Sequence, residues 1–435
     1  MNTKTDLNEM GLCQMLRAIE EGVCTTEAVI QACFDRIEAR EPDVGAWQVK
    51  RTRDEYVAYY HADKHFFDGS LLKGLPLGVK DIIDTQEMLT EMGSSIHTGR
   101  QPIEDASCVA LIRAAGGIVL GKTVTTEFAY FKPGKTKNPM DLARTPGGSS
   151  SGSAAAIADN MVPMALGSQT AASVIRPAAY CGTIGYVGSR GEFSLRGGQP
   201  LAQSLDSLGL FGRNVEDIQL LRAVLLRQPV SIEHRTPKVP KCVLVCHGEL
   251  VGDTSTAMKR AMQNAIDILK VQGVKVIERE TGDRLKEMVN HHINIMAWEV
   301  CRNLAIESFH KDQLSEPLVA LIEQGLAMDR TTYVASLDAA NTCRDWLWSL
   351  APEADVILTP AAPDIAPLGQ GATGAPYMSR PWQAMGLPVI TIPGMVDSNR
   401  IPLGLQLIGR LREDDALLNC ANGFKGLLNK ENILY

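Results

Sequence analysis

Thr145-Pro146-Gly147-Gly148-Ser149-Ser150-Ser151-Gly152-Ser153 runs into Ala154-Ala155-Ala156-Ile157-Ala158, and Gly167-Ser168-Gln169-Thr170-Ala171-Ala172-Ser173-Val174-Ile175-Arg176-Pro177 follows shortly after. Two serine loops of small residues therefore flank a helix-forming run and a short apolar run, Met161–Leu166. The alanines favour a helix over Ser150–Asp159 with Asn160 as its stop, and the apolar run has the length of a strand. Upstream, residues 75–84 read as a strand. A helix capped by Asp105 runs through Val109–Ala115 and ends at Gly116-Gly117, and Ile118-Val119-Leu120 is the next strand. Helix and strand alternate, which predicts an α/β sheet.

The same loops carry chemistry. A serine in a small-residue turn exposes both its hydroxyl and unpaired backbone N–H groups, and nucleophilic acyl transfer needs both together. Gly74-Leu75-Pro76-Leu77-Gly78-Val79-Lys80-Asp81 places one lysine after an apolar strand-like run, a candidate base.

Farther out, Leu12, Leu16 and Ile19, then Val29, Ile30, Cys33 and Ile37, recur at helical spacing within residues 6–42. Residues 254–350 are mostly helical in pattern, from Thr254 through Leu269 and again across 284–350. Val356-Ile357-Leu358, Val389-Ile390-Thr391-Ile392 and Gly404–Ile408 read as strands, 359–381 as a loop over the sheet, and Asp414–Leu428 as a closing helix. There is no internal repeat and no long polar linker. The 435 residues therefore read as one large domain, 1–435.

Composition narrows the function. A 45% hydrophobic and 21% charged chain is that of a globular protein, and a net charge of −7 gives no general reason to bind nucleic acid or an anionic membrane. The first residues, Met1 to Asn8, carry no apolar leader, and no apolar run is long enough to span a bilayer, so a cytoplasmic location is expected. The ten cysteines are scattered without a Cys-x-x-Cys and read as reduced, mostly buried thiols. Cys242 and Cys246 share a strand face, but no second ligand pair follows, so Cys242–Cys246 reads as a buried strand rather than a metal site.

Taken together these motifs resemble the amidase signature family, whose pattern is a Gly-Gly-Ser-Ser-Gly-Gly-Ser loop followed by Gly-Thr-Asp-Thr-Gly-Gly-Ser-Ile-Arg-x-Pro. The run Glu27–Ala39 with Thr25-Thr26 before it, Lys80-Asp81-Ile82-Ile83-Asp84, Gly121–Phe128, Ser204–Gly209 and Leu403–Gly409 fall in the family's order, so the resemblance covers nearly the whole chain and is weakest across 240–350. It implies a single α/β domain, a mixed twisted sheet covered by helices on both faces. A core of about 60–220 would carry the catalytic triad, a helical, variable region of about 250–385 would line the pocket, and 386–435 would close the fold. It implies an amidohydrolase that cleaves the C–N bond of a small amide through an acyl-enzyme. No cofactor or metal is expected, and the expected partner is the small-molecule amide, with a homodimer admitted and the need for a partner subunit left open.

Residue by residue, the resemblance makes Lys80 the base, Ser149 the bridging serine after a cis Gly148–Ser149 bond, and Ser173 the nucleophile; the separation of 24 positions between the two serines matches the family's spacing. The backbone N–H groups of Thr170, Ala171, Ala172 and Ser173 would form the oxyanion hole. Lys80 must be neutral to accept a proton, and burial beside Leu77, Val79, Ile82 and Ile83 would achieve that. Two departures stand out. The family's Asp-Thr-Gly-Gly is here Gln169-Thr170-Ala171-Ala172. If either alanine needs positive φ the hole is distorted; if both have negative φ their methyls only narrow the pocket. The arginine has moved one place, to Arg176, as in the malonamidase-like branch, where it binds a substrate carboxylate; the bland alternative is a structural salt bridge.

Other readings compete with this one. Gly148-Ser149-Ser150-Ser151-Gly152 fits Gly-x-Ser-x-Gly, but that elbow needs a buried strand before the serine, and residues 137–146 cannot form one. His291 and His292 read as partly exposed on a helix rather than as a general base. The glutaminase-type subunit of a tRNA-dependent amidotransferase shares the triad, and a catalytically silent member of the family stays open.

Overall fold

The computed structural model describes residues 6–230, 232 and 237–429. Eleven strands form one continuous mixed sheet: β1 (Trp47–Lys50), β2 (Pro76–Lys80), β3 (Ile118–Thr123), β4 (Met164–Gln169), β5 (Ile184–Val187), β6 (Ser207–Gly212), β7 (Cys242–Val245), β8 (Lys275–Glu278), β9 (Val356–Pro360), β10 (Val389–Val396) and β11 (Pro402–Ile408). Their order is β1-β3-β2-β4-β6-β5-β10-β11-β9-β7-β8. β2 runs parallel to both β3 and β4, β4 meets β6 antiparallel, and β7 is parallel to β8 and β9.

Side chains alternate between two cores, one on each face of the sheet. Val119 packs on one side, and Ile118 and Leu120 on the other; Ile390 and Val389 divide the same way. Because both faces are covered, β2, β3, β6 and β11 are buried along their whole length and read as apolar runs rather than alternating ones. Helices supply the cover, as the alternating pattern requires.

Local chemistry explains most boundaries. Thr25 caps the helix Thr26–Val44 through Ala28 N (3.1 Å), and Asn160, at φ 58°, ends the turn after the helix Ser151–Ala158. The strand expected from Met161 begins at Met164 and extends to Gln169. Asp105 does not cap the next helix, which starts at Ser107. Its carboxylate instead accepts from Gln86 N (2.8 Å) and pairs with Arg113 (2.9 Å). The short edge strand β8 carries no strong apolar alternation. No described helix is long and apolar enough to cross a membrane. The extreme N-terminal residues 1–5 lie outside the described residues, so the leader reading is not addressed there.

The helix Ser151–Ala158 seats the first serine loop against the sheet. Its entry depends on Gly152, where an added Cβ would lie 2.2 Å from Ala46 O and 2.4 Å from Val124 N. Both contacts are backbone and cannot give way. Gly152→Ala is expected to destabilise the protein by about 1–3 kcal/mol, the usual penalty of overpacking. A lowered urea midpoint checks this; an unchanged midpoint would mean that the helix moves freely.

Candidate active site

The two serine loops and the lysine strand converge at the C-terminal end of β2. Lys80, the last residue of β2, is fully buried between β3 and β4. Its Nζ lies 2.6 Å from Ser149 Oγ, 2.9 Å from Ser168 Oγ and 3.3 Å from Ser168 O. Burial drives its pKa well below the ordinary 10.5, opposed only by the charge of Asp206. A neutral amine suits this shell, because it can donate two hydrogens to Ser168 and accept one from the Ser149 hydroxyl.

Ser149 follows a cis peptide bond from Gly148. Gly147, at φ 80°, makes the preceding turn, and Ser149 O accepts from Thr126 N (3.3 Å). Ser173 sits in the turn between β4 and the helix Ile175–Cys181, with Ser150 N donating to its carbonyl (3.2 Å). Ser149 and Ser173 line the same narrow cleft, which is also lined by Tyr130, Thr170, Ala171, Ala172, Arg176 and Arg380. The Ser173 hydroxyl makes no hydrogen bond to a described residue.

Neither Ala171 nor Ala172 has positive φ. Their methyl groups narrow the cleft without bending the backbone, the second of the two outcomes the sequence left open. The N–H groups of Ala171, Ala172 and Ser173 donate to no described acceptor. Gln169 holds this turn in shape. Its Oε1 accepts from Val174 N and Ile175 N (both 3.0 Å), and its Nε2 donates to Gln383 Oε1 (2.9 Å). The neutral amide thus caps the same helix start that an aspartate would, and places no carboxylate beside the cleft.

Arg176 is buried and donates to Gly374 O (2.5 Å), Gly148 O (2.7 Å) and Thr373 Oγ1 (3.1 Å). All three acceptors are neutral, so the salt-bridge alternative is not what the structure contains. Burial lowers its pKa to about 10, and it stays cationic near neutral pH.

Three residues near the cleft escaped sequence reasoning. Ser168 is inside the second motif, but its contact with Lys80 arises only because β4 pairs with β2. His292 is fully buried rather than partly exposed, and its Nε2 donates to Thr170 O (2.8 Å). Burial and the charge of Arg380 push its pKa down to about 3, so it is a neutral brace. Its neighbour His291 is half-buried. Arg380 comes from the segment read as loop, in the short helix Arg380–Ala384. A larger apolar hollow of about 360 Å³ adjoins the cleft, sharing Ala129, Thr170 and Leu201 with it and lined by Ile82, Ile83, Leu195 and Leu208.

The Amidase family pattern matches residues 28–418. The A subunit of glutamyl-tRNA(Gln) amidotransferase from Desulfatibacillum aliphaticivorans is 29% identical, the match covering 96% of this chain and 97% of that protein. A crystal structure of an amidase superposes with a TM-score of 0.83 at 25% identity, covering 95% of this chain and 99% of that one. The corresponding amidotransferase subunit from Thermotoga maritima does so with a TM-score of 0.80 at 26% identity, covering 97% and 95%.

The depressed pKa of Lys80 has a measurable sign. Between its folded pKa and about 10.5 the unfolded chain binds more protons at this site, so stability rises with pH across that window. Lys80→Met removes the term. The variant should gain stability relative to wild type at pH 7. That gain should shrink as pH rises towards 10.5, by up to about 1.4 kcal/mol per pH unit. Urea unfolding at several pH values checks this; a pH-independent difference would mean that Lys80 is charged in the fold.

Proposed function

The chain belongs to the Amidase family, enzymes acting on carbon–nitrogen bonds, and on that premise we propose that it is a Ser-Ser-Lys amidohydrolase of small amides bearing a carboxylate. The observation that carries this reading is the 2.6 Å contact of a fully buried Lys80 amine with Ser149, at a cleft that Ser173 also lines.

In this reading neutral Lys80 takes the Ser149 proton while Ser149 takes that of Ser173, and Ser173 Oγ attacks the amide carbonyl. The N–H groups of Thr170, Ala171, Ala172 and Ser173 receive the oxyanion. The proton returns through Ser149 to the leaving nitrogen as the C–N bond breaks, leaving an ester on Ser173 and releasing ammonia or an amine. Water then repeats the sequence on the ester and frees the acid. Ser168 keeps the Lys80 amine aimed at Ser149. Arg176 takes the substrate carboxylate, as in the malonamidase-like branch, and at the same time steadies Gly148 beside the bridging serine.

A second reading is favoured by the curated relative, which is named as part of an amidotransferase and matches nearly end to end at 29% identity. A glutaminase working inside a complex would share the triad. Glutamine hydrolysis appearing only with a partner protein would select it. Efficient malonamate hydrolysis by the isolated chain would select the free-standing amidase.

Ammonia release from malonamate, succinamate, acetamide, an aryl amide and glutamine tests the proposal. Ser173→Ala should reduce turnover by about 10⁴-fold or more, Lys80→Ala nearly as much, and Ser149→Ala severely. A Ser149→Ala enzyme of near-normal rate would overturn the relay. A chain whose release persists in Ser173→Ala would overturn the nucleophile.

Arg176→Ala should raise KM for malonamate by about 10- to 100-fold, the range of a charged hydrogen bond, and by more than for acetamide. Equal effects on both would leave Arg176 as a brace alone.

A further inference from the structure

Two arginines, not one, line the cleft that Ser149 and Ser173 share. Arg380 is about nine-tenths buried, yet its side chain makes no hydrogen bond, ion pair or ring contact with any described residue, and its Nε is buried without a partner. Arg176 likewise has a buried Nε without a partner and only neutral acceptors on its terminal nitrogens. No aspartate, glutamate or lysine lines this cleft. An unpaired buried charge carries a desolvation penalty of several kcal/mol, so such groups are found where a counter-charge arrives.

The surroundings confirm that Arg380 is unneutralised. It depresses the pKa of Arg176 and is the second cause of the low pKa of His292, and no carboxylate acts on it in return. Its own pKa falls to about 10 on burial, which leaves it charged at neutral pH.

We propose that Arg380 is a specificity-determining residue, the second cationic arm of an anion site in which it and Arg176 together hold the carboxylate of a short dicarboxylic monoamide whose amide carbonyl lies at Ser173. The inference rests on the amidohydrolase reading for where the amide lies. The anion site itself rests on the two arginines. Both arginines and both serines line the one cleft, so carboxylate and amide are separated by a short acyl part. Arg176, tied to Gly374, Gly148 and Thr373, is the fixed arm. Arg380, with no side-chain partner among the described residues, is the arm that closes on the ligand with a guanidinium fork.

Calorimetric binding to the Ser173→Ala protein, which removes turnover, tests this. Malonamate and malonamide differ only in carboxylate against neutral amide. The Ser173→Ala protein should prefer malonamate, and adding Arg380→Gln should cut that preference by about 10- to 100-fold. Arg380→Met, of different polarity, should do the same, while Arg380→Lys should retain part of it; thermal melts establish that each is folded. An undiminished preference in a folded Arg380→Gln or Arg380→Met protein overturns the proposal, as does a Ser173→Ala protein that binds neither ligand or shows no preference. Malonamate binding that depends on Arg380 in a chain that hydrolyses no amide would sink the hydrolase reading and leave the anion site standing. Ser173-dependent hydrolysis without the Arg380 effect would do the reverse.

Discussion

The constraint on which the rest of the site depends is the removal of one lysine amine from water. Lys80 ends a strand with parallel neighbours on both sides, and its side chain is fully enclosed. A charged ammonium there would lose its hydration for neutral hydroxyl and carbonyl partners alone. The neutral form loses far less, and its single lone pair then needs a donor. Ser149, at 2.6 Å, is positioned to be that donor, and Ser168 occupies the remaining hydrogens. The placing of the two serine loops therefore follows from satisfying a buried amine. This is why β2 must be an interior strand and why β4, which carries Ser168, must be its neighbour.

The turn after β4 shows how a sequence departure is absorbed. Asp-to-Gln replacement keeps an acceptor of the right reach for the N–H groups of Val174 and Ile175 but removes a negative charge. The added nitrogen finds Gln383, which in turn donates to Ser207 Oγ (3.1 Å) and to Leu205 O. With the helix start capped by a side chain, the N–H groups of Ala171, Ala172 and Ser173 remain free. His292, neutral and fully buried, ties down the Thr170 carbonyl from the opposite side. The turn is held from both flanks, so alanines at negative φ are sufficient where the family has glycines.

How much of this could be read from the chain follows from how local each signal is. The alanine run and Asn160 mark the helix after the first serine loop, because propensity and a left-handed stop act within a few residues. The mixed sheet follows from alternation, but its order does not, since pairing β4 with β2 and β5 with β10 joins segments distant in sequence. The motifs brought Lys80 and Ser149 into view, and the fold places them in contact across 69 residues. Ser168 had no separate signature, being one more small residue in a strand. Arg380 was hidden in a Pro- and Gly-rich stretch whose periodicity gives no helix, and His292 looked like a surface residue because helical patterning around it is weak. All three matter only through long-range packing.

Burial then separates the roles of the cleft's basic groups by their intrinsic basicity. The same loss of water acts on Lys80, Arg176 and Arg380. For the lysine, starting near 10.5, it pulls the pKa well down. For the arginines, starting near 12.5, it leaves pKa values of about 10 and therefore full charge at pH 7. The same desolvation thus leaves the buried arginines cationic while it pulls down the lysine beside Ser149. Asp206, the carboxylate that acts on Lys80, opposes its shift, and burial raises the pKa of Asp206 itself to about 6. Gln169 keeps the cap that an aspartate would give and adds no further negative charge near these groups.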